Sequence, residues 1–81
     1  MTTRIENQLI AIVHEFDDSA PVPTPETVIG ELGFDSLWIV EIMLACENEW
    51  PGTHFDEDDV EFFTGSIHGL AILVEERLAA L

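Results

Sequence analysis

Ser36 is the residue of this chain best placed to do chemistry. Leu32-Gly33-Phe34-Asp35-Ser36-Leu37 reads as a loop that delivers a hydroxyl to the first turn of a helix, and the residues from Trp38 to Trp50 are compatible with helix throughout. The first backbone N–H groups of a helix have no partner within it, and the helix dipole is positive at that end, so anions are stabilised there. A phosphate ester on Ser36 suits such a position. The same hydroxyl carries two other readings. Ser and Asp are both favoured helix caps, so Ser36 taken alone also reads as a cap. A Ser–His–Asp nucleophile would draw on His14, His54 or His68, but triads are assembled in space and no spacing here brings a histidine to Ser36. The Gly-x-Ser-x-Gly elbow is absent, which weighs against hydrolysis.

Two further groups invite chemistry. Asp56-Glu57-Asp58-Asp59 suggests calcium, yet an EF-hand loop counted from Asp56 needs glycine at its sixth position and glutamate at its twelfth, where this chain has Glu61 and Ile67. Loose divalent binding and a solvated helix start, with acids favoured near the N-terminus, both remain as readings of the cluster. Cys46, the only cysteine, falls on an apolar stripe and reads as a small buried residue rather than a reactive thiol. A single cysteine excludes an internal disulfide and fits a reducing cytoplasm. His14 and His68 read as partly exposed helix residues.

The elements that position these groups follow from apolar spacing. A first helix is expected from about Thr3 to Phe16, with Thr3 and Glu6 at capping-box spacing and Ile5, Leu9, Ile12, Val13 and Phe16 on one stripe. Asp17 and Asp18 close it. The connection from Asp17 to Asp35 contains Pro21, Pro23 and Pro25, which exclude helix and favour extended chain. So long a connection within a compact domain needs anchoring. Val22, Val28, Ile29, Leu32 and Phe34 supply it, with one short turn expected around Thr27 to Leu32; the stretch reads as an ordered crossover. The second helix spans Ser36 to Trp50 and is ended by Pro51-Gly52. Asp56 caps a short third helix over Glu57 to Phe63, with Val60 and Phe63 inward. Thr64-Gly65-Ser66 separates it from a last helix over Ile67 to Leu81, whose stripe is Ile67, Leu70, Ala71, Val74 and Leu78. There is no β alternation and no internal repeat. The expected fold is all-α, a single four-helix domain with three long helices, one short one and a long first crossover.

The second helix is apolar on two faces, and a core can bury only one. Ile39, Ile42, Met43, Cys46 and Trp50 form the core stripe. Leu37, Val40 and Leu44 form the other, flanked by Trp38, Glu41, Glu47 and Asn48. An exposed apolar strip rimmed by carboxylates has the composition of a docking surface, with Trp38 its sharpest member because Trp is enriched among residues that dominate binding. The alternative is that neighbouring loops cover the strip.

Composition narrows the partners. Among 81 residues there are 17 acids and two basic residues, Arg4 and Arg77, giving a formal charge of −15. Nucleic acid and anionic lipid need a basic footprint, so neither is expected to bind. Partners with basic patches suit this surface, through attraction that speeds encounter and fades with salt. At 47% apolar, with positive mean hydropathy, the chain is too hydrophobic to stay disordered. No signal peptide and no membrane span are expected. A chain of this size buries only about 60% of its unfolded surface, which disfavours a deep enclosed active site and hence an enzyme.

Taken together, Gly33-Phe34-Asp35-Ser36-Leu37 at the start of the second of four helices, the long first crossover, the acidic balance and the closing Ser66-Ile67-His68-Gly69-Leu70-Ala71 resemble the acyl carrier proteins over nearly the whole chain. The resemblance implies that Ser36 bears a 4′-phosphopantetheine arm, taken from coenzyme A by a separate Mg²⁺-dependent phosphopantetheinyl transferase. The thiol of that arm would carry an acyl group as a thioester between enzymes. Asp35 and Leu37 carry over as the residues flanking the attachment site, and the helix over residues 36–50 as the main recognition element. The implied partners are that transferase and acyltransferase, ketosynthase or acyl-activating enzymes with basic docking patches. Trp38 stands where carriers of fatty acid synthesis usually have an acid, and Gly33-Phe34 where peptidyl carriers commonly have Gly-Gly. The resemblance is therefore to a discrete, monomeric, cytoplasmic carrier of polyketide-type specialised metabolism, such as antibiotic biosynthesis. A peptidyl or aminoacyl carrier and a non-covalent acidic helical module are the alternatives.

Overall fold

The computed structural model describes residues 2–16, 18, 21–33 and 35–81. Their architecture is all-helical: α1 (Thr2–Phe16), α2 (Ser36–Glu49), α3 (Val60–Phe63) and α4 (Ile67–Ala79), with 3-10 turns at Ile29–Leu32 and Glu57–Asp59. The four expected helices and the short turn in the crossover are thus present. No β-strand occurs among the described residues; Val28 and Ser66 form one isolated antiparallel bridge. Asp17 and Phe34, expected to close the first helix and to pin the crossover, lie outside the described residues.

Helical spacing accounts for the core. Leu9 and Val13 of α1, Ile42 and Cys46 of α2, Phe63 of α3, and Ile67, Leu70 and Val74 of α4 are almost wholly buried together. Each large side chain among them gains about 1.5–3 kcal/mol from leaving water. Phe55 and Phe63 meet edge to face, with ring centroids 5.3 Å apart. The α1–α2 pair is antiparallel, since Gln8 in the middle of α1 donates to Glu49 at the end of α2, while Phe16 at the end of α1 meets Trp38 at the start of α2.

The long crossover is held by backbone pairing. Ile29 and Gly30 donate to the carbonyls of Gly65 and Thr64 at 2.9 and 3.0 Å, and Ile67 and His68 donate to those of Thr27 and Pro25 at 3.0 and 2.8 Å. These bonds give the polar backbone of a proline-rich loop the partners that burial demands. Ile29 is fully buried and Leu32 packs against the core. Val22 does not pin the loop, being 62% exposed. A Cβ on Gly30 would stand 2.8 Å from the Thr64 carbonyl oxygen, so this close approach of two backbone segments requires glycine.

Three expectations change in detail. Thr3 does not open a capping box: α1 already includes Thr2, and the Glu6 carboxylate is instead engaged by the His68 ring at the start of α4. The third helix is not uniform; Glu57–Asp59 is a 3-10 turn that continues into α3, because the Asp59 N–H bonds back three residues to the Asp56 carbonyl at 2.9 Å. Finally, α2 and α4 stop at Glu49 and Ala79, with Trp50 buried as the closing residue of α2.

Candidate functional site at the start of the second helix

Two residues fix where α2 begins. Gly33 ends the preceding 3-10 turn with φ +84°, a left-handed conformation that glycine adopts without Cβ strain. Asp35 is extended, and its carboxylate accepts from the Trp38 N–H at 3.0 Å while its carbonyl accepts from the Ile39 N–H at 3.1 Å. Ser36 is therefore the first helical residue, and it is exposed. The capping alternative for Ser36 is thereby removed, because the cap is Asp35. Among the described residues nothing hydrogen-bonds the Ser36 hydroxyl, and the amides of Ser36 and Leu37 have no acceptor. Those amides lie at the positive end of the helix dipole, which favours negative charge.

Along α2 the two faces separate as their spacing requires. Ile39, Ile42, Met43, Cys46 and Trp50 are buried, whereas Leu37, Val40 and Leu44 are 63%, 48% and 53% exposed. Among the described residues, no loop covers that strip. Glu41 and Asn48 are exposed alongside it. Spacing of i, i+3 and i+7 is that of a helix presenting anchors to a groove. Trp38 and Glu47 differ from the rest of the expected set. Trp38 is half-buried on the flank facing α1, its ring 6.3 Å from that of Phe16 and tilted by 50°. Glu47 is turned to the following loop: its carboxylate accepts from the Phe55 N–H at 2.8 Å and lies 3.3 Å from His54 Nδ1. It holds the end of α2 in place and is less available to a partner than Glu41.

No histidine is bonded to Ser36 among the described residues. His54 sits at Glu47, and His68 is bound to Glu6 between α1 and α4. His14 has a buried Nδ1 with no hydrogen-bond partner. Among the described residues, no base is bonded to the Ser36 hydroxyl. Cys46 is fully buried, and burial, reinforced by Glu47 and Glu49, pushes its thiol up to about 12, so it stays protonated and inert at neutral pH.

Two of the four clustered acids, Asp56 and Asp59, have internal side-chain partners, while Glu57 and Asp58 are exposed. Asp56 caps the turn through the Asp58 N–H at 3.0 Å, and Asp59 returns the bond to the Asp56 N–H at 3.1 Å. Asp59 is buried and gripped by Arg77 through two bonds of 3.0 and 2.7 Å. Arg77 also donates to the His54 carbonyl at 2.9 Å and lies 5.7 Å from the Phe55 ring centre. The hydrogen bond from Arg77 holds the Asp59 carboxyl below its ordinary value, against the opposing effect of burial. No group of three or more metal-ligating side chains occurs among the described residues.

Sequence reasoning missed the Asp59–Arg77 fork and the Glu6–His68 pair. A signal existed for the first: Arg77 is one of only two basic residues in a chain with 17 acids, and it sits late in an amphipathic helix. For the second there was no local signal: Glu6 and His68 are 62 residues apart, and the burial of Glu6 appears only in the folded chain.

No helix among the described residues is long and apolar enough to cross a membrane. Compared with models of protein families, with curated proteins and with solved structures, the chain matches none of them.

Proposed function

We propose that this protein is an acyl carrier: Ser36 accepts a 4′-phosphopantetheine arm from coenzyme A, and the helical bundle is the stem that presents it. The observation that carries the reading is the exposed Ser36 hydroxyl at the first position of α2, released from capping because Asp35 takes that role. In loading, the serine oxygen attacks the pantetheine-side phosphorus of coenzyme A and forms a phosphodiester as the pyrophosphate bond breaks; 3′,5′-adenosine diphosphate leaves, and the hydroxyl proton passes to a base on the transferase. The arm then supplies a thiol for thioester chemistry. The contribution of the protein is to position it: α2 fixes the attachment point, and the two unpartnered amides favour the negative charge of the phosphate. Asp35 and Leu37 flank the site for the transferase. Leu37, Val40 and Leu44, with Glu41 and Asn48, offer partners an apolar strip with a negative rim, and Trp38 borders it. Gly33-Phe34 ahead of Asp35-Ser36-Leu37, where peptidyl carriers commonly have Gly-Gly, favours a polyketide-type carrier over a peptidyl one.

One observation supports a second reading. The exposed strip of α2 would serve a non-covalent acidic module equally well, without any modification of Ser36. The deciding experiment is the intact mass of the purified protein before and after incubation with coenzyme A, Mg²⁺ and a broad-specificity phosphopantetheinyl transferase. A gain of one phosphopantetheine, mapped to Ser36 by peptide fragmentation, is expected. No gain, with a control carrier loading normally, makes the binding module the function to pursue.

A further inference from the structure

We draw no further inference here: the strongest candidate, the open groove on the α1–α2 seam between Gln8, Ala11 and Ile12 on one side and Ala45, Asn48 and Glu49 on the other, is an unpartnered face, and nothing in the structure shows what covers it.

Discussion

Asp35 and Asp56 perform the same local task at opposite ends of α2, and their surroundings could hardly differ more. Both are extended residues whose carboxylates cap a helical start. Beyond Asp56, the polar groups turn inward: Asp59 answers the cap, Arg77 closes on Asp59, and Glu47 takes the Phe55 amide. Beyond Asp35, they do not. Ser36 and Leu37 are exposed, and the neighbouring aliphatic strip has no cover among the described residues. The first region spends its polar groups on holding the loop after α2 against α4. The second leaves a hydroxyl, two amides and three aliphatic side chains available. Function is expected where internal partners are missing, and the contrast can be tested by separating stability from activity at the two ends.

The largest loss of stability is expected from Arg77→Ala. It leaves the buried Asp59 carboxylate without its fork and the His54 carbonyl without a donor. Breaking a fully buried pair costs about 3–5 kcal/mol and an exposed pair about 0–1 kcal/mol. With the Asp59 side chain 7% exposed and that of Arg77 36%, a loss of about 2 kcal/mol in urea unfolding is expected. The pair also sets a pH dependence. Because folding lowers the Asp59 value below 3.8, its contribution is present above that pH and is lost as pH falls through the lowered value. Arg77→Ala should therefore flatten the acid limb of the stability profile. An unchanged limb would mean that the fork does not fasten this end.

Next comes the seam between the crossover and the loop before α4. Gly30→Ala drives a Cβ against the Thr64 carbonyl, which is backbone and cannot swing aside. Overpacking in a core costs about 1–3 kcal/mol, and at the exposed Gly30 the low end, about 1 kcal/mol, is expected. The expected readout is faster amide exchange at Ile29 and Ile67, whose N–H groups are bonded across the seam. If exchange stays slow at both, the crossover is held by its apolar anchors alone.

Asp35→Ala should cost a similar amount, about 1 kcal/mol, because one cap bond to the Trp38 N–H is lost from an exposed helix end. Helical content should persist while the first turn of α2 frays. An increase in amide exchange confined to this turn would set it apart from the fastened end. Unchanged exchange there would show that Asp35 does not cap α2.

These regions also differ in how far the sequence discloses them. The core stripes of all four helices follow from apolar spacing, since burial obeys the helical period. The split of α2 into a buried and an exposed face was legible for the same reason: only one of two apolar stripes can enter a core of this size. Asp35 was harder, because both it and Ser36 are good caps, and only the extended backbone at Asp35 decides between them. The fastened region was the least legible. Asp59 and Arg77 are 18 residues apart, and an ion pair at that range depends on how α3 and α4 pack rather than on any local pattern. Asp59 stands at capping-box spacing from Asp56, which marks it locally as the partner of that cap, but nothing local pairs it with Arg77. Val22 shows the converse limit, since an apolar residue in a proline-rich loop need not find a core to enter.

On the open side, Leu44→Gln is expected to change stability by no more than about 0.5 kcal/mol, because Leu44 is 53% exposed and touches no ion-pair network. Its effect should fall on recognition instead. If the strip is a docking surface, kcat/KM for loading by the transferase should drop several-fold with the unfolding curve unmoved. Loading at the wild-type rate would remove Leu44 from the recognition surface. A loss of stability above 1 kcal/mol would show that the strip is covered after all.

Ser36→Ala should have the smallest effect on the fold and the most complete effect on function. The hydroxyl caps nothing, alanine is the best helix former, and the change lies on an exposed first turn, so stability should stay within about 0.5 kcal/mol of wild type. Loading with coenzyme A and the transferase should nevertheless fall to zero. Arg77→Ala is the counterpart: at temperatures where it remains folded, it should still load, because Arg77 is committed to Asp59 and His54 at the far end of α2. That crossed pair of results, one variant stable and unloadable and the other weakened and loadable, is what the division of α2 into a fastened and an open end requires. A Ser36→Ala chain that still gains the arm would move the attachment to another residue and dissolve the contrast.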